Sequence, residues 1–160
     1  MIDAATVRDR FSYDEKTGIF IRRVSSGSCA RGSVAGTIHS NGKRYIQIDE
    51  KLYFASRLAW LYMTGYWPKL AVNHRNLNRS DDSWENLREA TPQQLSANRR
   101  NFKRKLTPKG VHLRPSGRFR ARIRVNGALI NLGEFSSADL ASKAYADAAS
   151  KHFGDFARLE

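Results

Sequence analysis

Cys29 is the only cysteine in the chain's 160 residues. A single thiol forms neither an intrachain disulfide nor a thiolate zinc cluster. The longest apolar run is Leu58-Ala59-Trp60-Leu61-Tyr62-Met63, far short of the roughly 18 residues that a membrane span needs. Met1 to Arg10 contains no apolar stretch of the kind that marks a secretory leader. These absences set the expectation of a cytoplasmic protein, in a reducing interior and off the membrane. Acid is scarce as well: 15 Asp and Glu face 28 Lys and Arg, a formal net charge of +13. So basic a chain repels itself unless a polyanion neutralises it. Nucleic acid is the expected partner, with an anionic membrane face as the rival. The basic residues do not gather on one amphipathic helix, which argues against the membrane. Hydrophobic residues at 41% and aromatics at 11% supply a core, which excludes wholesale disorder. No internal repeat or low-complexity tract stands out.

The positive charge is uneven. Residues 1–100 hold sixteen basic and ten acidic residues, whereas the shorter 101–160 holds twelve and five. Between them runs Arg99-Arg100-Asn101-Phe102-Lys103-Arg104-Lys105-Leu106-Thr107-Pro108. Half of it is basic and it ends in proline, which reads as a linker over 101–107 joining modules 1–100 and 108–160. Arg99, Arg100, Lys103, Arg104 and Lys105 are then candidates to track a phosphate backbone.

Residues 118–125 alternate strictly, Arg-Phe-Arg-Ala-Arg-Ile-Arg-Val. As a strand this puts Phe119, Ala121, Ile123 and Val125 on one face, with Arg118, Arg120, Arg122 and Arg124 on the other. Asn126-Gly127 predicts a type I′ hairpin turn, since both positions accept positive φ. A second strand follows through Leu129–Leu132 to Phe135, and Gly110–Arg114 forms a third, ended by Pro115-Ser116-Gly117. A helix is predicted next, with Ser136 as N-cap and Asp139 three residues on. Its apolar stripe is Leu140, Ala144 and Ala148, widened by Ala141, Tyr145, His152 and Phe153, and Gly154 stops it. The helix covers the Phe119/Ile123 face and leaves the arginines bare. Outward arginines in a row repel one another unless something anionic neutralises them. A sheet of this width enters a major groove, where guanidinium forks suit phosphates and guanine edges alike.

The residues Gly110-Val111, Arg114, Gly117, Phe119, Ala121-Arg122-Ile123-Arg124, Leu132-Gly133-Glu134-Phe135, Ala144-Tyr145 and Gly154–Leu159 make this module similar to the Apetala-two DNA-binding domain of plant ethylene-response factors. The resemblance implies that the sheet, not the helix, reads DNA, with Lys109, Arg114 and Arg124 as basic contacts. His112 stands where the plant proteins usually carry arginine, and Ser116 where they carry tryptophan, so the plant target sequence does not carry over. His112 and the four strand arginines complete the candidate DNA-binding set.

Toward the N-terminus the pattern predicts a short helix near Ala4–Phe11, a turn at Tyr13–Gly18 and a strand Ile19–Arg23. Residues 24–43 are rich in Gly and Ser and read as loop or loose hairpin. Arg44–Asp49 alternates and pairs with Leu52–Ala55, after which Ser56 caps a helix ending at Thr64 and Gly65. Leu70-Ala71-Val72 is a short strand ending at Asn73-His74, followed by a polar loop, Arg75–Ser83. Pro92 opens a helix running to Asn101. A lone histidine is more often structural than catalytic. His74, however, ends a strand beside a polar loop in a basic protein, with Asn86 twelve residues on. A neutral imidazole held by an amide takes a proton from water. A divalent cation held by side-chain oxygens stabilises the leaving oxygen of a phosphodiester.

The residues Arg57-Leu58-Ala59-Trp60, Thr64-Gly65-Tyr66-Trp67-Pro68, Val72-Asn73-His74, Asp81, Glu85-Asn86-Leu87-Arg88 and Ala90-Thr91 resemble the HNH endonucleases, in particular the phage homing-endonuclease branch. The resemblance covers about 11–100 and is best over 53–100. It implies a ββα-metal (His-Me finger) module, His74 as general base, Asn86 orienting its ring, and Asn73 as a ligand of a single divalent ion, Mg²⁺ or Mn²⁺. The chain departs from the pattern at Ser56, where a histidine is common, and at Asp82, where asparagine is common. Leu95 replaces a second metal-binding asparagine, and Asp82 and Asn98 are the candidates to stand in for it.

The expected fold class is α+β, a ββα-metal module followed by a three-stranded antiparallel sheet on one helix. The expected function is metal-dependent hydrolysis of double-stranded DNA by an HNH-type, homing-like endonuclease of phage or prophage, with no small-molecule cofactor. The alternative is a catalytically impaired, HNH-derived DNA-binding protein. An RNA-binding role is disfavoured, because RNA-binding sheets display aromatics for base stacking and this one displays arginines.

Overall fold

Asp3 accepts a hydrogen bond from the Thr6 amide and so starts the first helix, α1 (Ala4–Arg10). The computed structural model describes residues 2–99 and 107–158. They fall into two compact units, Met1–Ala90 and Thr91–Glu160. The helix that opens at Pro92 lies in the second unit, although the sequence pattern groups it with the first module.

In the first unit, α1 runs straight into β1 (Phe11–Asp14), which pairs antiparallel with β2 (Ile19–Arg22). The strand β1 was not expected from the sequence, where only a turn was read before Ile19. A small sheet follows in the order β3 (Thr37–Ile38), β4 (Arg44–Ile48), β5 (Lys51–Phe54). Helix α2 (Ala55–Thr64) starts without a side-chain cap. Ser56, expected as that cap, instead lies within the helix and is buried. The last pair is β6 (Ala71–His74) with β7 (Leu87–Ala90), antiparallel. Val7, Phe20, Ile46, Leu58 and Leu61 are fully buried and form one core with Phe11, Ile48 and Leu87. Each such side chain removed from water contributes roughly 2 kcal/mol.

In the second unit, Thr91 and Gln94 form a reciprocal capping box at the start of α3 (Pro92–Ala97). A three-stranded antiparallel sheet is ordered β10 (Ala128–Phe135), β9 (Phe119–Val125), β8 (Val111–Leu113). The β9–β10 turn has positive φ at both Asn126 (50°) and Gly127 (82°), as the type I′ reading requires. Helix α4 (Ala138–Phe153) packs on this sheet. Its cap is Ser137, which accepts from the Leu140 amide, rather than Ser136. Of the expected stripe Ala141, Tyr145 and Phe153 are buried, Ala149 joins them, and Leu140 remains half exposed. Among the described residues no helix is long and apolar enough to cross a membrane.

Candidate active site and nucleic-acid interface

Antiparallel pairing sets Asn73 opposite Arg88 and His74 opposite Leu87, and an Arg75 N–H to Asn86 O bond (2.8 Å) extends the ladder. The intervening loop is held by its own short polar side chains. Asn78 accepts from the Ser80 amide (3.2 Å) and hydroxyl (2.8 Å). Asp81 accepts from the Ser83 hydroxyl (2.7 Å) and from Asn76 Nδ2 (2.6 Å). The Ser83 hydroxyl is the main reason its carboxyl titrates below the usual carboxylate range. Buried Asn86 closes the loop: its Oδ1 accepts from the Asn76 amide (2.9 Å) and its Nδ2 donates to the Asp81 carbonyl (2.7 Å).

Asn86 therefore holds the loop rather than the imidazole. The ring has a different partner. His74 Nε2 lies 2.8 Å from Asp82 Oδ1, and the two residues are only 4% and 2% exposed. When Nε2 carries the proton toward the carboxylate, Nδ1 keeps a lone pair and is the basic atom. Asp82 is in turn fixed from far upstream. Tyr13 Oη donates to the Asp82 carbonyl (2.7 Å), and the Trp84 amide donates to the Glu15 carbonyl (2.8 Å). Burial, and then the Asp82 charge, raises the Tyr13 phenol well above its ordinary value, so it stays a donor. Gly18, at φ +72°, lies against this peptide so closely that a Cβ would come 2.2 Å from the Asp82 carbonyl carbon. Only glycine meets both conditions.

The expected metal ligands are differently placed. Asn73 Oδ1 accepts from the Nε of buried Arg88 at 3.3 Å. Asp82, expected as a ligand, has Oδ1 engaged with His74, while its buried Oδ2 has no hydrogen-bond partner among the described residues. Leu95 lies on α3, and Asn98 caps that helix in the second unit. No group of three His, Cys, Asp or Glu side chains is arranged to hold a metal ion among the described residues. Positive charge missed by the sequence reading borders the pair. Half-buried Lys43 feels both Asp82 and Arg79, and burial followed by Arg79 lowers its pKa. No local pattern pointed to Lys43, because its neighbourhood is built by turns remote from the loop.

In the second unit, register puts Glu134 and His112 beside Arg120, Asn131 beside Arg122, and Leu129 beside Arg124. Arg118 and Arg124 are exposed, whereas Arg120 and Arg122 are half-buried. The face is not uniformly cationic. Arg120 donates to Glu134 Oε1 through Nε (2.9 Å) and Nη2 (2.6 Å), Arg114 Nε stands 3.7 Å away, and Arg118 Nη2 donates to the Glu134 carbonyl (3.0 Å). Arg124 donates to the Gly127 carbonyl (3.0 Å). Lys109, expected as a DNA contact, is half-buried instead, and its ammonium donates to the carbonyls of Ala97, Arg99 (3.0 Å) and Arg158 (3.4 Å). An ammonium carries three donors and no acceptor, which suits a helix C-terminus with open carbonyls. Arg99 is exposed. Arg100, Lys103, Arg104 and Lys105 lie outside the described residues.

Residues 53–97 match the family model of the HNH endonucleases. The matched segment runs from within β5 through α3 and contains Asn73, His74, Asp82 and Asn86. A solved structure reported as "DNA binding and cleavage by the HNH homing endonuclease I-HmuI" has a TM-score of 0.47 and 17% identity to this chain, covering 99% of this chain and 91% of that one. No curated protein matches the chain.

Proposed function

We propose that the chain is an HNH-type DNA endonuclease that hydrolyses phosphodiester bonds in double-stranded DNA. The observation that carries this reading is the buried His74–Asp82 pair inside the HNH-matching segment. In the proposed reaction, His74 Nδ1 takes a proton from a water as its oxygen attacks phosphorus, the bond to the 3′ oxygen breaks, and that oxygen leaves with the electron pair and takes up a proton from solvent water to become the 3′ hydroxyl. Asp82 keeps the proton on Nε2 and the ring in place. Asn86 holds the loop around them, and Lys43 and Arg79 lend positive charge to an incoming phosphate.

HNH nucleases generally use a divalent metal. The buried Asp82 Oδ2 offers an oxygen without a hydrogen-bond partner among the described residues, and Asn73 adds an amide oxygen. Such a set fits a hard ion, Mg²⁺ or Mn²⁺, that takes most of its ligands from water and the DNA phosphate. Bound there, it would stabilise the charge developing on the leaving oxygen.

The arginine face of β8–β10 would bind the duplex as an Apetala-two-type sheet, and residues 101–107 would track the backbone as a basic linker. A cytoplasmic enzyme encoded by a phage or prophage fits this reading. The second reading is a DNA-binding protein that has lost cleavage. Leu95 and the guanidinium facing Asn73 favour it, since both weaken a cation site.

Supercoiled plasmid incubated with Mg²⁺ or Mn²⁺ should become nicked or linear, and EDTA should prevent it. His74→Ala should slow the reaction by about 10²- to 10⁴-fold without loss of DNA binding. Plasmid that is retained but never cut, equally by both proteins, would establish the second reading.

A further inference from the structure

Glu134 is the single carboxylate on the strands β8, β9 and β10. It sits where a DNA-binding surface gains least from negative charge, yet three guanidinium groups converge on it. Arg120 forks onto Oε1 at 2.9 and 2.6 Å, Arg114 stands 3.7 Å from the same oxygen, and Arg118 binds the backbone carbonyl. The hydrogen bond from Arg120, followed by the charges of Arg120, Arg114 and Arg118, holds the carboxyl below its ordinary range. Two consequences follow from the geometry. The Nε and Nη2 donors of Arg120 are occupied and cannot serve a phosphate while the pair stands. The carboxylate also repels a phosphate that approaches Arg114 or Arg118.

We infer that Glu134 is a selectivity determinant, an internal anion that suppresses binding of this face to arbitrary DNA backbone. On duplex of arbitrary sequence the base edges are unmatched and attraction rests on the phosphates, and a phosphate must displace or tolerate the carboxylate. A preferred site is one whose base edges give the remaining arginines enough without Arg120. This inference rests on the reading that the arginine face binds DNA.

The test uses the full chain and a random-sequence duplex of about twenty base pairs, with affinity measured by fluorescence anisotropy over a salt series. Each phosphate contact adds about 0.9 to the slope of log affinity against log salt. Glu134→Gln should therefore tighten random-duplex binding by about tenfold near 0.1 M salt and steepen the slope by about 1. Glu134→Ser should do the same, which guards against an effect peculiar to glutamine. Adding Arg120→Ala to Glu134→Gln should abolish the gain, because the freed fork is its source. Unchanged or weaker binding by both Glu134 variants would overturn the inference. Arg122→Ala and Arg124→Ala separate its two foundations. If they flatten the slope while the Glu134 variants do nothing, the face binds DNA and only the role of Glu134 fails. If they too leave binding unchanged, the DNA-binding reading of the face fails and the inference falls with it.

Discussion

The chemistry of the first unit is buried and drawn from distant parts of the chain, whereas that of the second is displayed on a surface and written in eight consecutive residues. His74 depends on Asp82, Asp82 on Tyr13 and Gly18, and the loop between them on Asn86. Arg118 to Arg124 need only an extended backbone and a covered reverse side. The base proposed above must be oriented to within about an ångström, and the surroundings of His74 are over-determined. A charged surface must stay accessible, so little holds it. Damage to the first unit should therefore appear as lost chemistry from remote changes, and damage to the second as graded changes in affinity.

The sharpest break is Gly18→Ala, sixty-four residues from the side chain it would disturb. The methyl group cannot share space with the Asp82–Ser83 peptide, and φ +72° is strained for alanine. A displacement of about 1 Å at a catalytic group costs about 100-fold, so nicking should fall by about that factor while random-duplex binding holds. Normal nicking by a folded Gly18→Ala protein would show that the Asp82 position is not critical. Asn86→Ala tests the loop. It leaves the Asn76 amide and the Asp81 carbonyl, both only partly buried, without their partner, at about 1 kcal/mol each, so urea denaturation should show a loss of about 2 kcal/mol. Lys109→Met probes the other side of the comparison. Removal of the ammonium from three carbonyls should cost about 1–2 kcal/mol and leave the salt slope of DNA binding unchanged. A flattened slope would restore Lys109 as a phosphate contact. The smallest effect is expected at Asp14, in the turn that supports Asp82. Its carboxyl is held below its ordinary range by the Thr17 hydroxyl and the Lys16 amide. That stabilisation is complete above the unfolded-state pKa and is lost as pH falls through the lower folded value. The melting-temperature gap between the wild-type protein and Asp14→Asn should therefore close on acidification.

The same contrast explains what was legible. The β9 strand and its Asn126-Gly127 turn could be read because a two-residue period and a positive-φ pair are local signals. His74 could be singled out as the end of a strand facing a polar loop. Its partner could not, since Asp81, Asp82 and Asn86 are all polar and within twelve residues, and loop closure alone decides which of them meets the ring. Ser136 and Ser137 are chemically interchangeable as caps, so the cap of α4 falls one residue later than expected, while Ala141, Tyr145 and Phe153 of the expected stripe are buried and only Ala149 lay outside it. Tyr13, Gly18 and Lys43 reach the site only through tertiary turns, which leave no periodic trace. Lys109 looked like one more cation in a basic tract, and nothing local announced that three carbonyls would surround it.

The lysine staple has a practical bearing on where the chain can be cut. The carbonyls it gathers come from the end of α3, from Arg99 and from Arg158, near opposite ends of the second unit. Ala97 also contributes to the core under α4. A fragment excised at residue 108, where composition suggests the seam, would leave behind a helix that plugs its own core. A fragment that begins at Thr91 would carry its plug with it, and that is the one to express alone.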